Sequence, residues 1–406
     1  MIRYHAAWVV PIEGEPIRDG WVTVDRGRIV ALGRRAANDA TAGVELGDVA
    51  LMPGLVNAHT HLELSYLRDQ VTPSSSFTAW VRQILQARRQ RMQQPLRDPA
   101  VMAAVDAAID ESVRCGTAVV GEITNTLVTF DKLAASRLAG VVFWELIGFK
   151  IDGDFDAMVG HAVAELEALP ATDAIRVSLA AHAPYSVAPL FFQAIKKALA
   201  RMPFVPCSVH LAEGVEEVEL LMTGAGPWKT LMTDIGSWNH AWTAPGVSPV
   251  QYLDDMGFID NRLLVVHGVQ MTTEDLAMLK ARGATLVTCP RSNVHTGAGL
   301  PPIVEFYESG VRIAIGTDSL ASSPDLNVFA EIATLHALAP SVPAASLLES
   351  ATIQGARALG FEADYGTIES GKVARLLTVD VPPGTSDVEE YLVSGIHPGQ
   401  IRWVPE

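Results

Sequence analysis

Eight apolar, β-branched runs recur along the middle of the chain, each separated from the next by a segment of helical spacing, and few folds accommodate that pattern. In order they are ALMPGLVNAH, TAVVGEI, GVVFWEL, IRVSLAA, FVPCSVH, LLVVH, ATLVTC and RIAIGTD. Amphipathic stretches such as DPAVMAAVDAAIDESVRCG and EDLAMLKARG lie between them. Continuous apolar strands alternating with helices form a parallel sheet covered on both faces. A count of eight favours closure, so the expected fold class is α/β, a (β/α)8 barrel of the TIM type. Residues 1–52 and 364–406 have another texture, short β-type runs broken by Gly, Pro and Asp, with Asp25-Arg26-Gly27-Arg28 reading as a hairpin turn. They are expected to form a small, discontinuous β-sandwich domain beside a catalytic barrel spanning 53–363. Two connections are long, residues 62–98, which include the basic helix VRQILQARRQR, and residues 214–258. Loops of that length are usually functional or locally structured.

Composition narrows the partners. With 406 residues and 49% hydrophobic content the chain has ample material for such a core. A formal charge of −16 argues against a nucleic-acid backbone or an anionic membrane as partner and leaves a small-molecule substrate. Three scattered cysteines suit a reducing compartment, and no run approaches the ~20 apolar residues of a membrane span, so a cytoplasmic location is expected. A homodimer would be ordinary for such an enzyme.

Polar residues punctuate the strand ends. His59 and His61 close the first run, His210 the fifth, His267 the sixth and Asp318 the eighth. In a (β/α)8 barrel the C-terminal strand ends share one catalytic face, so residues remote in sequence converge there. A spacing of two sets His59 and His61 on the same side of a strand. An isolated His-x-His carries little weight; convergence with the other positions gives it meaning. Neutral imidazoles with one carboxylate suit a divalent ion such as Zn²⁺ or Fe²⁺.

The segments Pro53-Gly54-Leu55-Val56-Asn57-Ala58-His59-Thr60-His61, His210-Leu211-Ala212-Glu213, Cys289-Pro290-Arg291-Ser292-Asn293 and Gly316-Thr317-Asp318-Ser319 resemble the amidohydrolase superfamily, in the branch of triazine chlorohydrolases, cytosine deaminase-like enzymes and adenosine-type deaminases. The resemblance implies one metal ion held by His59, His61, His210 and Asp318, with His267 on the metal-bound water. Two-metal members use a lysine at the end of strand four; here that strand ends in His182, and Lys150 falls after strand three. In deaminases of the superfamily the glutamate at the position of Glu213 shuttles protons. The competing reading is an acid favoured by a helix N-terminus, which suits Glu216, Glu217 and Glu219. The implied chemistry is attack of metal-bound hydroxide on an amino-bearing ring carbon, with Glu213, His267 and Asp318 moving protons.

Ala180-Ala181-His182-Ala183-Pro184-Tyr185 is similar to adenosine-type deaminases, where the histidine meets the sugar; a structural strand-end histidine is the alternative. The segments His61-Leu62-Glu63-Leu64-Ser65 and Gly226-Pro227-Trp228 resemble the deaminases that act on aminodeoxyfutalosine in menaquinone biosynthesis. Glu63, Trp228 and Ser319 therefore join His182 as candidate substrate contacts. Arg291 either meets substrate or braces its loop, and Glu122 either meets a sugar hydroxyl or serves the fold. Trp228, Trp238 and Trp242 either cap a ring or pack the long loop. Where the family commonly reads Gly-Lys-x-Ala-Asp, this chain has Arg375 last, a departure confined to the small domain. The competing activities are hydrolysis of a cyclic amide, displacement of chloride or an alkylamine from a triazine-type ring, and a scaffold that has lost its chemistry.

Overall fold

The computed structural model describes residues 1–36, 42–91, 97–150, 153–203 and 205–405; Phe204, which opens the fifth apolar run, lies outside them. All eight runs contribute a strand to one parallel sheet hydrogen-bonded in chain order. The first to eighth barrel strands are Leu55–Thr60, Thr117–Thr124, Ala139–Leu146, Ile175–Ala181, Cys207–Leu211, Leu263–His267, Thr285–Thr288 and Arg312–Ile315. Every residue of the first, second, fifth, sixth and seventh strands is buried, which is why they read as continuous apolar runs instead of alternating ones.

Closure is made by polar atoms. Thr60 bridges Asp318, and the N–H groups of Thr317 and Asp318 both donate to the His59 carbonyl at 3.1 Å. Asn57 and Thr317, both fully buried, exchange two bonds: Asn57 Nδ2 donates to Thr317 Oγ1 at 2.7 Å, and the Thr317 N–H donates to Asn57 Oδ1 at 3.1 Å. A buried asparagine is tolerated mid-strand because these bonds repay its desolvation.

The first apolar run is two strands, not one. Val49–Pro53 belongs to the small domain and Leu55–Thr60 to the barrel, with Gly54 as the joint. A Cβ at Gly54 would come within 2.6 Å of the Ala118 side chain and 2.9 Å of the Trp403 ring, so only glycine allows the two layers to meet there. The terminal strands build one mixed seven-stranded sheet from Ile2–Val9, Ile17–Asp25, Arg28–Arg34, Val44–Glu45, Val49–Pro53, Leu376–Asp380 and Ile401–Trp403. Arg26 and Gly27 take φ of 48° and 73°, the left-handed pair that a two-residue hairpin requires. Bonds from the Ile29 N–H to the Lys372 carbonyl and from the Gly371 N–H to the Ile29 carbonyl curl the sheet's edge back. It packs over a cluster that includes Tyr4, Val22, Leu51, Ile368 and Leu376; the termini form this one mixed sheet where a two-sheet sandwich was expected. Arg375 lies over the Trp403 ring, 4.6 Å from its centroid, a cation–π contact that the family's usual aspartate could not make.

Both long connections fold over the barrel mouth. The first holds a 3₁₀ turn, Leu62–Leu67, and a helix, Phe77–Arg91; the second holds helices Val215–Thr223, Pro227–Asp234 and Pro249–Asp255. They share an apolar cluster that includes Leu67, Phe77, Trp80, Trp228, Leu231 and Trp238. Among the described residues, no helix is long and apolar enough to cross a membrane.

Candidate metal centre and active site

The strand-end histidines do converge. The His59 ring centroid lies 4.9 Å from that of His61, 5.0 Å from His210 and 5.8 Å from His267. Asp318 Oδ1 sits 3.7 Å from His59 Nε2 and 3.5 Å from His61 Nε2. Its other oxygen is committed, accepting from Ser292 Oγ at 2.5 Å and Ser322 Oγ at 3.0 Å, so the carboxylate is aimed with one oxygen toward the imidazoles. Two of the strand-end residues that turn into the mouth, His267 and Asp318, hold left-handed φ values of 78° and 58°, as does Ala212 at 53° after strand five. Such backbone costs a non-glycine residue of order 1–3 kcal/mol and clusters at functional sites.

The donor set fits a divalent ion. His59 is completely buried, yet neither ring nitrogen has a hydrogen-bond partner, an arrangement that is costly without a cation. One potential ligand atom from each of His59, His61 and His210 lies within 4.8 Å of the others. His267 is oriented separately: its Nδ1–H donates to Asn293 Oδ1 at 2.9 Å, leaving Nε2 as an acceptor, 3.0 Å from His210 Nδ1 and 3.6 Å from Glu213 Oε2. His210 consequently faces acceptors on both sides, His267 Nε2 and Glu145 Oε1, the latter at 3.2 Å.

Burial dominates the electrostatics. It lowers His59 to about 4, His61 to about 3, His182 to about 4 and His267 to about 3, so the imidazoles are neutral and free to ligate. Burial works to raise Asp318, but His59 and His61 beside it hold its carboxyl well below the usual range. Glu213 shifts the other way, raised well above the ordinary carboxylate value by burial and then by Asp318 and Glu217. Two neighbouring carboxyls with opposed protonation form an acid–base pair.

A cavity of about 380 Å³ opens over this cluster. His61, His210, Glu213, His267 and Asp318 line it, as do His182, Trp228 and Ser319. Trp228 stacks on Tyr185 at 3.8 Å and meets Phe77 edge-on, whereas Trp238 and Trp242 pack against Phe149 and each other away from the cavity. Lys150 is exposed on the cavity wall, where it donates to the Gly236 carbonyl at 3.5 Å.

Three expected substrate contacts do not line the cavity, because the protein already uses their hydrogen bonds. Glu63 Oε2 accepts from the Thr124 hydroxyl, the N–H groups of Asn125 and Thr126, and the Thr126 hydroxyl. Glu122 accepts from the N–H groups of Leu62 at 2.7 Å and Glu63 at 3.2 Å, pinning the turn after the first strand. Arg291 is clamped by Glu331 at 2.7 Å and Asp325 at 2.7 Å. In Cys289-Pro290-Arg291-Ser292-Asn293 it is Ser292 and Asn293 that reach the site. Glu217 also departs from expectation: it is fully buried and accepts the Glu213 N–H at 3.0 Å, so it holds Glu213 in place instead of merely decorating a helix end. Sequence reasoning missed Glu145 at the third strand's end, which touches His210 and accepts from Asn125 Nδ2 at 2.8 Å. The strand-end position was its available signal.

Residues 50–399 match the amidohydrolase family. The chain is 29% identical over 403 residues to a 5-methylthioadenosine/S-adenosylhomocysteine deaminase of Moorella thermoacetica, covering 95% of this chain and 88% of that one. It is 30% identical over 328 residues to an aminodeoxyfutalosine deaminase of Deinococcus radiodurans, covering 79% and 75%. Among solved structures, a zinc-bound adenosine deaminase from Xanthomonas campestris superimposes with a TM-score of 0.79 at 28% identity, over 98% of this chain and 90% of that one. With the barrel, the convergent imidazoles and these relatives together, the chain belongs to the amidohydrolase family and is a hydrolase acting on carbon–nitrogen bonds.

Proposed function

We propose that this protein is a one-metal aminohydrolase that deaminates an adenine-type nucleoside, with 6-amino-6-deoxyfutalosine as the favoured substrate and menaquinone biosynthesis as its setting. One observation carries the reading: the buried Glu213 carboxyl, 3.6 Å from His267 Nε2, opens into the same cavity as His61, His210 and Asp318. Simple hydrolysis of an amide does not need that second, protonatable carboxyl opposite the base; donation to a ring nitrogen does.

A divalent ion, zinc or iron, held by His59, His61, His210 and Asp318 would acidify water and so supply the nucleophile. The chain's own residues do the rest. His267 presents an unprotonated Nε2 because Asn293 holds its other nitrogen's proton, so once His210 is turned to the ion it can orient water and accept a proton from it. Asp318, fixed by Ser292 and Ser322, keeps its free oxygen available for the same transfer. Glu213 gives a proton to the ring nitrogen next to the amino-bearing carbon as a carbon–oxygen bond forms there. A later proton on the amino group lets the carbon–nitrogen bond break and ammonia leave. The relatives' substrates support a nucleoside, and the apolar wall of Phe77, Trp80 and Trp228 suits one with a large substituent.

The test is ammonia release from adenosine, methylthioadenosine, S-adenosylhomocysteine and aminodeoxyfutalosine by the metal-loaded protein. Turnover is expected with at least one and to be fastest with the last. Glu213→Gln should keep its metal, read by elemental analysis, and lose about 10²–10⁴ in kcat. Opening of a cyclic amide or release of chloride from a triazine, with no ammonia from any nucleoside, would overturn the reading.

A further inference from the structure

One face of helix Phe77–Arg91 lines the cavity at successive turns with Phe77, Trp80, Ile84 and Arg88. Three are apolar; the fourth is a cation that water activation and proton transfer leave unused. Both Nη atoms of Arg88 donate to one neutral oxygen, Asn125 Oδ1, at 3.2 Å. Among the described residues it makes no ion pair, whereas Arg68, Arg282 and Arg291 each sit on a carboxylate at 2.6–2.7 Å. A guanidinium carries five N–H donors in a planar fork, so most of its donor capacity is unspent on the protein. Asn125 cannot offer more, since its Nδ2 is engaged with Glu145 Oε2 at 2.8 Å. Lys150, on the same cavity wall, likewise has only a carbonyl, that of Gly236 at 3.5 Å. In a chain of 46 acidic and 30 basic residues, a guanidinium on the cavity wall with no ion pair among the described residues runs against composition. A half-buried guanidinium with unspent donors is suited to an anionic ligand.

We infer that Arg88 is a specificity-determining residue that recognises a carboxylate on the substrate, so that the preferred nucleoside bears an acidic substituent remote from the reacting ring. The inference rests on the nucleoside-deaminase reading above. A carboxylate fits better than a phosphate: the walls are largely apolar, and Glu145 lies one residue away through Asn125, where a dianion would be repelled more than a monoanion.

The experiment compares kcat/KM of wild type, Arg88→Gln and Arg88→Lys on carboxylate-bearing nucleosides (aminodeoxyfutalosine, S-adenosylhomocysteine), neutral methylthioadenosine, and adenosine 5′-monophosphate. Wild type should favour a carboxylate-bearing substrate. Arg88→Gln should cut its preference over methylthioadenosine by about 10-fold or more, through KM, as loss of a charge-assisted hydrogen bond implies. Arg88→Lys should recover part of that ratio, keeping the charge without the fork. Equal loss on every substrate would mean that Arg88 only holds Asn125, and would overturn the inference. So would a wild-type preference for methylthioadenosine or for the monophosphate. Calorimetric binding of the carboxylate-bearing nucleosides to wild type and Arg88→Gln separates the two readings. If no nucleoside releases ammonia, the deaminase reading falls, while a binding difference between the two proteins still decides the role of Arg88.

Discussion

On the side of the barrel mouth built by the first, fifth, sixth and eighth strands, His59 is fully buried with both ring nitrogens unpartnered, and Asp318 keeps one oxygen free. Across the loops that follow the first and second strands, Glu63 accepts four hydrogen bonds and Glu122 two. All of these are buried polar residues at or just past barrel strand ends, and the sequence made each a candidate for the site, His59 and Asp318 as metal ligands and Glu63 and Glu122 as substrate contacts. What separates them is unspent hydrogen-bonding capacity. A buried polar group whose lone pairs and protons are consumed by the protein is part of the scaffold, and one left unsatisfied is waiting for an ion or a ligand.

The contrast can be broken most severely at Asp318. Asp318→Ala removes the carboxylate aimed at His59 and His61, and should cost at least ~10² in metal affinity and about 10³ or more in turnover, measured by elemental analysis beside kinetics. Retention of metal and rate would move the ligand set elsewhere. On the saturated side the loss should fall on stability instead. Glu122→Ala strands the buried N–H groups of Leu62 and Glu63 and should destabilise the fold by about 2–4 kcal/mol in denaturant unfolding, with metal stoichiometry maintained in the folded fraction. A stable variant with an altered substrate KM would make Glu122 a binding residue after all.

The smallest effect sharpens the comparison at Glu217, which stands between the two classes: it accepts the Glu213 N–H, yet its Oε1 has no partner. Burial raises its carboxyl from 4.5 to about 8. Between those values the unfolded chain loses the proton that the native state keeps, so native stability falls as pH rises through that window, at ~1.4 kcal/mol per unit of difference. Glu217→Gln retains an oxygen for Glu213 without the ionisation. Its melting temperature relative to wild type should therefore climb from pH 5 to pH 8, by at least ~1 kcal/mol of stability. A difference that stays flat would show that Glu217 is charged in the native protein.

The positions of His59, His61, His210, His267 and Asp318 were legible because a parallel barrel aligns strand ends, so a one-dimensional pattern maps onto one face. Ser292 and Asn293 were visible only as part of a motif in which Arg291 drew attention by its charge; long side chains advertise chemistry, whereas short ones act by aim. Arg88 was read as one more basic residue of a helix, since nothing in VRQILQARRQR says which of its cations turns inward.

By itself the sequence determined the barrel, the terminal sheet, and the set of groups able to hold a metal, because hydrophobic periodicity and strand-end placement are local properties that survive without coordinates. Tertiary structure alone decided which of those groups are free. Whether a carboxylate is saturated, as in Glu63, or left on a cavity wall, as in Glu213, depends on donors brought to within about 3 Å from elsewhere in the chain, and hydrogen-bond geometry over such distances has no one-dimensional signature.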